Sequence, residues 1–145
     1  MSQATDLHQH AELCFTQYVA AWAARDPDAI AALHTLDSVF AVPALGLEAV
    51  GRDAVRAAIE GVFTLWPDLV FHERRSYVSP ELWVLESVME GTLAVPLTVG
   101  GVTIRPNGGP ATIDLCDVFR VEHGLVRRKD SYVDVLGYQQ LLAGR

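Results

Sequence analysis

A chain of 145 residues has the length of one ordinary domain, and folding at that length buries roughly 68–70% of the surface that the unfolded chain exposes. Half of the residues are hydrophobic and one fifth are charged, which excludes a largely disordered chain. A net charge of −7 disfavours contact with a phosphate backbone, and no apolar run approaches the roughly 20 residues of a membrane span. We therefore expect one domain over residues 1–145, with neither nucleic acid nor membrane as a partner.

The N-terminus and the cysteines indicate the compartment. The first residues lack both the basic start and the apolar stretch of a secretory signal peptide, so we expect a cytoplasmic protein. Cys14 and Cys116 should then remain reduced thiols that pack as small residues. The histidines have no metal-ligand spacing, and we expect neither a metal nor another cofactor.

Helical patterns dominate the first half of the chain. The patterns predict helices over residues 6–25, 26–33 and 53–63, a short strand over 38–42 and a loop over 46–51. An apolar stripe at helical spacing, which includes Phe15, Tyr18 and Trp22, marks the first helix. Asp26 is placed to cap the second helix, because its carboxylate can accept hydrogen bonds from the first free backbone N–H groups.

After Pro67 the pattern changes from helices to strands. Turn residues divide this half into predicted strands over residues 69–78, 82–93, 98–105, 111–121 and 125–133, followed by a short helix over 134–142. Helices followed by antiparallel strands are typical of an α+β domain whose helices cover one face of the sheet. If the sheet curves strongly, it forms a cone around one pocket, and its outer face is free to form a homodimer.

Alternation along the strands predicts which side chains of the hairpin near the C-terminus face the pocket. Because side chains alternate along a strand, the apolar neighbours of Asp117 predict that this residue faces the pocket. A three-residue turn would pair Val121 with Leu125 and place Asp117 directly opposite Lys129. The residues of the last strand that share this face are then Lys129, Ser131 and Val133.

The pairing of Asp117 with Lys129 leaves several roles open. The pair can be structural, or it can anchor a polar group of a ligand. Lys129 can also accept a proton if its environment removes enough water to lower its pKa. Tyr18 can likewise be either a core tyrosine or a residue that contacts a ligand.

Two stretches of the sequence carry a resemblance to a known family. The first is Tyr-Val-Ala-Ala-Trp-Ala-Ala-Arg-Asp-Pro-Asp-Ala-Ile over residues 18–30, followed by Val42-Pro43 and Gly51-Arg52-Asp53. The second is Asp-Val-Phe-Arg-Val-Glu-His-Gly-Leu-Val over residues 117–126, and it ends at Asp134. They resemble the nuclear-transport-factor-2-like superfamily, which contains ketosteroid isomerases, SnoaL-like polyketide cyclases and limonene-epoxide-hydrolase-like enzymes. The resemblance implies a cystatin-like α+β cone with N-terminal helices packed on a strongly curved, mainly antiparallel sheet.

The resemblance also implies site residues. In ketosteroid isomerases a tyrosine of the first helix and an aspartic acid of a late strand donate hydrogen bonds to the substrate oxygen, and Tyr18 and Asp117 fall on those positions. The carboxylate that moves the proton would stand at Val42, which has no titratable group. SnoaL-like cyclases use a carboxylate near the end of the last strand. Asp134 matches it but can equally cap a helix, so Lys129 and Asp134 are both candidates for proton transfer.

In this sequence each of the enzyme subfamilies lacks at least one of its catalytic residues. Leu93 replaces the histidine of the cyclases, and Ser131 replaces the last-strand aspartate of the epoxide hydrolases. The resemblance implies a cofactor-free isomerase, cyclase or hydrolase for a polycyclic or terpenoid-like ligand. The alternatives are a binding protein without the base and a structural dimer. The expected pocket residues are Trp22, Phe40, Val42, Phe63, Trp66, Leu115, Phe119, Ser131 and Val133.

Overall fold

The computed structural model describes residues 2–137 of the chain. Its helices and strands, in chain order, are α1 (Gln3–Ala23), α2 (Pro27–Ala32), β1 (His34–Val42), β2 (Leu47–Val50), α3 (Arg52–Leu65), β3 (Val70–Val78), β4 (Leu82–Gly91), β5 (Leu97–Val99), β6 (Val102–Ile104), β7 (Ala111–Glu122) and β8 (Leu125–Val133), with a single 3-10 turn at Pro43–Leu45. Residues 135–137 are helical, and the rest of the helix predicted over 134–142 lies outside the described residues.

Side-chain caps and apolar stripes explain the N-terminal helices. The hydroxyl of Ser2 accepts a hydrogen bond from the Thr5 N–H at the start of α1, and Asp26 caps α2 as predicted. The buried residues of α1 are Ala11, Phe15, Tyr18 and Trp22, which are members of the predicted stripe. This stripe faces the sheet and brings the side chains of α1 into the core.

Six strands form one curved sheet in the order β2-β1-β8-β7-β4-β3. Its neighbours pair antiparallel except for β1 and β8, which run parallel. The helices pack on the inner face of this mixed, mostly antiparallel sheet, and the α+β cone expected from the sequence is confirmed. Among residues 2–137, no helix has both the length and the hydropathy needed to cross a membrane.

Two short segments differ from the predictions. The expected loop over residues 46–51 contains β2, which pairs antiparallel with β1 after a turn in which Gly46 has a φ of 64°. The expected single strand over 98–105 is a hairpin of β5 and β6, turned by Gly100 and Gly101 at φ of 55° and 79°. In both places the apolar run is only three or four residues long, which is too short for alternation to define a strand.

The β7–β8 hairpin has a different register from the predicted one. Its turn has two residues, His123 and Gly124, with φ of 51° and 80°, and β8 then bulges at Arg127. Asp117 consequently lies opposite Ser131, and the predicted register that places Asp117 directly opposite Lys129 is wrong, although their side chains still form an ion pair. The shorter turn and the bulge each shift the register by one residue, so the two shifts together restore the predicted inward orientation of Lys129.

Candidate functional site

A cavity of about 160 Å³ lies between α1 and the inner face of the sheet, beside β3. We call it the inner cavity. Its walls are mostly apolar and aromatic, with three charged side chains among them. The lining residues are Tyr18, Val19, Trp22, Ala23, Arg25, Leu69, Val70, Phe71, Leu85, Asp117, Phe119 and Lys129.

Two charged residues of this wall, Asp117 and Lys129, form a polar cluster with Ser131, which does not itself line the inner cavity. Lys129 Nζ donates to Asp117 Oδ1 over 3.1 Å and to Ser131 Oγ over 2.7 Å. The Ser131 hydroxyl donates in turn to the same Asp117 oxygen over 2.5 Å. The side chains of Lys129 and Asp117 are only 7% and 5% exposed, so this ion pair is buried. Asp117 Oδ1 thus accepts two hydrogen bonds, whereas the isomerase resemblance requires the aspartic acid to donate one to the substrate.

Aromatic rings surround the ammonium group of Lys129. Its Nζ lies 4.6 Å from the ring centroid of Phe40, 5.0 Å from that of Trp22 and 5.6 Å from that of Phe119. These cation–π contacts each contribute about 0.5–2 kcal/mol and partly offset the loss of water around the buried charge. The rings therefore hold a cation at the cavity wall, where it can act on a ligand oxygen.

Tyr18 and His34 form a second buried pair. The Tyr18 hydroxyl and His34 Nε2 lie 2.9 Å apart, and both residues are buried. Burial lowers the pKa of His34 to about 3, and the charges of Lys129 and Arg52 act in the same direction, so the imidazole is neutral near pH 7. Burial also raises the pKa of the Tyr18 hydroxyl well above its usual range, and the carboxylate of Asp117 adds to this shift. Tyr18 is therefore a neutral phenol that can donate a hydrogen bond.

A second cavity of about 90 Å³ lies on the other side of Lys129. We call it the outer cavity. Trp22, Phe71 and Lys129 line both cavities and form the boundary between them. The remaining walls of the outer cavity are apolar except for Ser131. They are formed by Phe40, Val42, Leu45, Val62, Leu65, Trp66, Met89, Leu97, Val99, Ile113, Leu115, Ser131, Val133 and Val135.

The structure brings together most residues that the sequence indicated. Tyr18, Asp117 and Lys129 line the inner cavity. The expected pocket residues all line one of the two cavities except Phe63, which packs on Trp22 with ring centroids 5.4 Å apart. Asp134 is exposed, lines neither cavity and accepts a hydrogen bond from the Gly137 N–H, so it lies in the helix-capping position and not at the cluster.

His34 is the site residue that sequence reasoning missed. It occupies the first position of β1, directly after α2, and none of its surface is exposed. The only signal in the sequence is a single histidine after the apolar residues Ala31, Ala32 and Leu33. Its contact with Tyr18 spans sixteen residues of sequence and depends on how α1 packs against β1, which the local pattern does not encode.

Within residues 2–137 no group of three or more His, Cys, Asp or Glu side chains is arranged to hold a metal ion. The polar and charged side chains that line the two described cavities are Tyr18, Arg25, Asp117, Lys129 and Ser131.

The helices packed on a curved, mostly antiparallel sheet form the cone of the NTF2-like fold. Within that class the chain belongs to the SnoaL-like domain family, whose sequence profile matches residues 15–129. No curated protein matches the sequence.

Solved structures with the same fold cover most of the chain. A protein of Jannaschia sp. CCS1, provisionally assigned as a SnoaL-like polyketide cyclase, has a TM-score of 0.80 and 16% identity, with 100% of this chain and 97% of that chain covered. A phenazine biosynthesis-related protein of Pseudomonas aeruginosa has a TM-score of 0.74 and 14% identity, covering 97% and 89%. A ketosteroid-isomerase-like protein of Catenulispora acidiphila, bound to trimethylamine, has a TM-score of 0.68 and 16% identity, covering 82% and 83%. At these identities the likeness extends to the fold alone.

Proposed function

We propose that this protein is a cofactor-free enzyme that moves a proton on a small hydrophobic carbonyl compound bound in the inner cavity. The observation that carries the proposal is the buried ion pair of Asp117 and Lys129, hydrogen-bonded to Ser131, on the wall of an aromatic cavity. Buried charges are costly and usually mark either a structural pair or a functional site. Here the charged groups line an open volume, which favours a site.

The roles in this proposal differ from those of the isomerase resemblance. Lys129 would stabilise negative charge as it develops on the carbonyl oxygen of the ligand. The Tyr18 hydroxyl would add a hydrogen bond in the tautomer in which His34 Nε2 carries the proton and donates to the Tyr18 oxygen. Asp117 is a carboxylate beside an ammonium group and would accept the proton that the resemblance assigns to the position of Val42. Because Lys129 donates its hydrogen bonds to Asp117 and Ser131, it is better suited to stabilising charge than to accepting a proton.

The boundary between the two cavities limits the size of the ligand. The polycyclic or terpenoid-like ligand implied by the resemblance would need both volumes. Trp22 and Phe71 would then have to move, because they line both cavities and lie between them. We therefore favour a ligand that fits the inner cavity alone.

A binding protein without turnover is the second candidate. Val42 is buried and lines the outer cavity at the position where the isomerases carry their base. A chain that had lost this base could keep the pocket and bind the same ligands. Turnover by the wild-type protein distinguishes the two candidates.

Exchange of α-protons tests the enzyme directly. A panel of steroids, aromatic polyketides, terpenoid ketones and simple aryl ketones is first screened for thermal stabilisation of the protein, and the stabilising ketones are then incubated in D₂O. We expect the wild-type protein to accelerate deuterium exchange next to the carbonyl group, and Asp117→Asn to lower this rate by about 10²-fold or more, because the base is removed. Proton NMR measures the exchange.

The matched control is Asp114→Asn, which removes a carboxylate from the outer face of the same strand, where it pairs with Arg74. This variant should exchange deuterium at the wild-type rate. Binding without exchange by the wild-type protein would support the second candidate. Equal rates for Asp117→Asn and wild type would exclude Asp117 as the base.

We also propose that the protein works as a homodimer formed through the outer sheet face. Tyr77 and Tyr132 are more than half exposed on this face, and Val118 lies between β4 and β8 on the same side. Such half-exposed aromatic residues are typical of interface anchors. Sedimentation equilibrium should give twice the chain mass of 15.8 kDa, and Tyr132→Asp should shift the equilibrium toward monomer by tenfold or more. A monomeric wild-type protein at micromolar concentration would contradict the proposal.

A cytoplasmic location is part of the same proposal. Both Cys14 and Cys116 are free thiols, which agrees with a reducing compartment.

A further inference from the structure

One oxygen of Asp117 has no hydrogen-bond partner within residues 2–137. Its Oδ1 accepts from both Lys129 and Ser131, whereas Oδ2 accepts from neither. The residue is 4% exposed and lines the inner cavity, and Oδ2 is not one of the fully buried side-chain atoms that lack a partner, so it is the carboxylate oxygen that a ligand in the cavity can reach. A ligand that donates to this oxygen forms a charge-assisted hydrogen bond, which is stronger than a hydrogen bond between neutral groups.

The volume of the inner cavity limits the size of that ligand. It measures about 160 Å³, close to the roughly 150 Å³ of an engineered apolar cavity in another protein that binds benzene. One six-membered ring therefore fits. A second fused ring would displace Trp22 or Phe71, which separate the inner from the outer cavity.

The walls select the kind of ring. The side chains of Tyr18, Trp22, Phe71 and Phe119 offer aromatic faces and edges to a bound ring. The ammonium group of Lys129 lies on the same wall, next to the carboxylate of Asp117. Because a cation stabilises negative charge on a neighbouring oxygen, this wall favours an acidic hydroxyl group over an aliphatic one.

We propose that the inner cavity binds a single hydroxylated aromatic ring, a monocyclic phenol, whose hydroxyl group donates to Asp117 Oδ2. This inference rests on the proposed function for the location of the site and narrows its ligand class. The ring lies among the aromatic walls, and its oxygen lies beside the ammonium group of Lys129. A bound phenol therefore occupies the oxygen that the proposed enzyme uses as its base, and it competes with the carbonyl substrate for the inner cavity.

Calorimetric titration with four probes tests this proposal on the wild-type protein. Phenol carries the hydroxyl, toluene has nearly the same shape without it, cyclohexanol has the hydroxyl without the aromatic ring, and 2-naphthol adds a second ring. We expect phenol to bind at least about tenfold more tightly than toluene, because toluene cannot donate a hydrogen bond to Asp117. We expect the same margin over cyclohexanol, which lacks the aromatic ring, and over 2-naphthol, whose second ring requires Trp22 or Phe71 to move.

Asp117→Asn reverses the hydrogen-bond direction at the same place. The hydroxyl of Ser131 and the ammonium of Lys129 both need an acceptor, so the Asn oxygen will turn toward them and its NH₂ group will face the cavity. Phenol should then lose most of its advantage over toluene, whereas anisole, which only accepts, should gain. Asp114→Asn should leave the order of the wild-type affinities unchanged, and circular dichroism verifies that both variants are folded.

The outcomes separate this inference from the proposed function. If 2-naphthol binds as tightly as phenol, the limit of one ring is wrong, and if toluene or cyclohexanol equals phenol, the hydrogen bond to Asp117 or the aromatic selection is wrong. If phenol fails to bind while ketones of the screening panel bind and exchange deuterium, the ligand class is wrong and the proposed function stands. If neither phenol nor any panel ketone binds, both are overturned.

Discussion

Lys129→Met will lower the free energy of unfolding by about 3–5 kcal/mol, because it leaves the buried carboxylate of Asp117 without its partner. The substitution keeps the length and volume of the side chain, so the contacts with Trp22 and Phe40 survive and the lost term is electrostatic. Urea denaturation followed by fluorescence measures the change. This loss is large compared with the 5–15 kcal/mol by which native proteins are usually stable.

A second substitution identifies the cause of that loss. Lys129→Met combined with Asp117→Asn removes both charges and keeps an acceptor for the Ser131 hydroxyl, so we expect it to recover at least half of the lost stability. Arg74→Met provides the matched control, since it breaks an ion pair whose side chains are 55% and 57% exposed and should cost less than about 1 kcal/mol. If the double variant is no more stable than Lys129→Met, the loss has another origin, such as packing.

Acid will destabilise the wild-type protein through His34. The pKa of this residue is lowered by burial from 6.5 to about 3 in the folded state, so between these pH values the unfolded state binds a proton that the folded state does not. Stability is therefore complete above pH 6.5 and falls as the pH drops toward 3, at about 1.4 kcal/mol per pH unit. From pH 7.5 to 4.5 this residue alone should remove about 2.5 kcal/mol.

His34→Gln isolates this contribution, because Gln can hydrogen-bond the Tyr18 hydroxyl but does not titrate. Between pH 7.5 and 4.5, urea denaturation should show that the wild-type protein loses about 2.5 kcal/mol more stability than the variant. ¹⁵N NMR of the His34 ring should show a neutral imidazole throughout this range. Identical losses for the two proteins, or protonation of His34 near pH 6, would contradict the prediction.

The orientation of Asp117 could be predicted because it depends on alternation along one strand. β7 is long, and its inner positions are apolar except at Asp117, so the inward face was evident from the sequence. The register of its partner was not evident, since the turn length and the bulge at Arg127 are set by packing across the hairpin. The inward orientation of Lys129 was predicted on a wrong register whose two errors cancelled.

The division of the interior into two cavities could not be predicted from the sequence. It depends on where the large side chains of Trp22 and Phe71 lie, and helical or strand periodicity specifies a face without specifying a rotamer. The pairing of His34 with Tyr18 is similar, because it joins two elements through packing alone. The helices and the long strands were predictable for the opposite reason, since each repeats its pattern over many residues.

Because of the bulge at Arg127, the last hairpin can lose one residue without changing which of its side chains face the interior. Val126 points inward, Arg127 and Arg128 point away from the core, and Lys129 points inward again. A homologue that lacked the residue at Arg127 would follow simple alternation and still present its lysine to the ligand. A residue inserted just after Arg128 would have no bulge to absorb it and would carry Lys129 out to solvent. Loss of the bulged residue would therefore keep the cation in the site, whereas an insertion just after Arg128 would remove it.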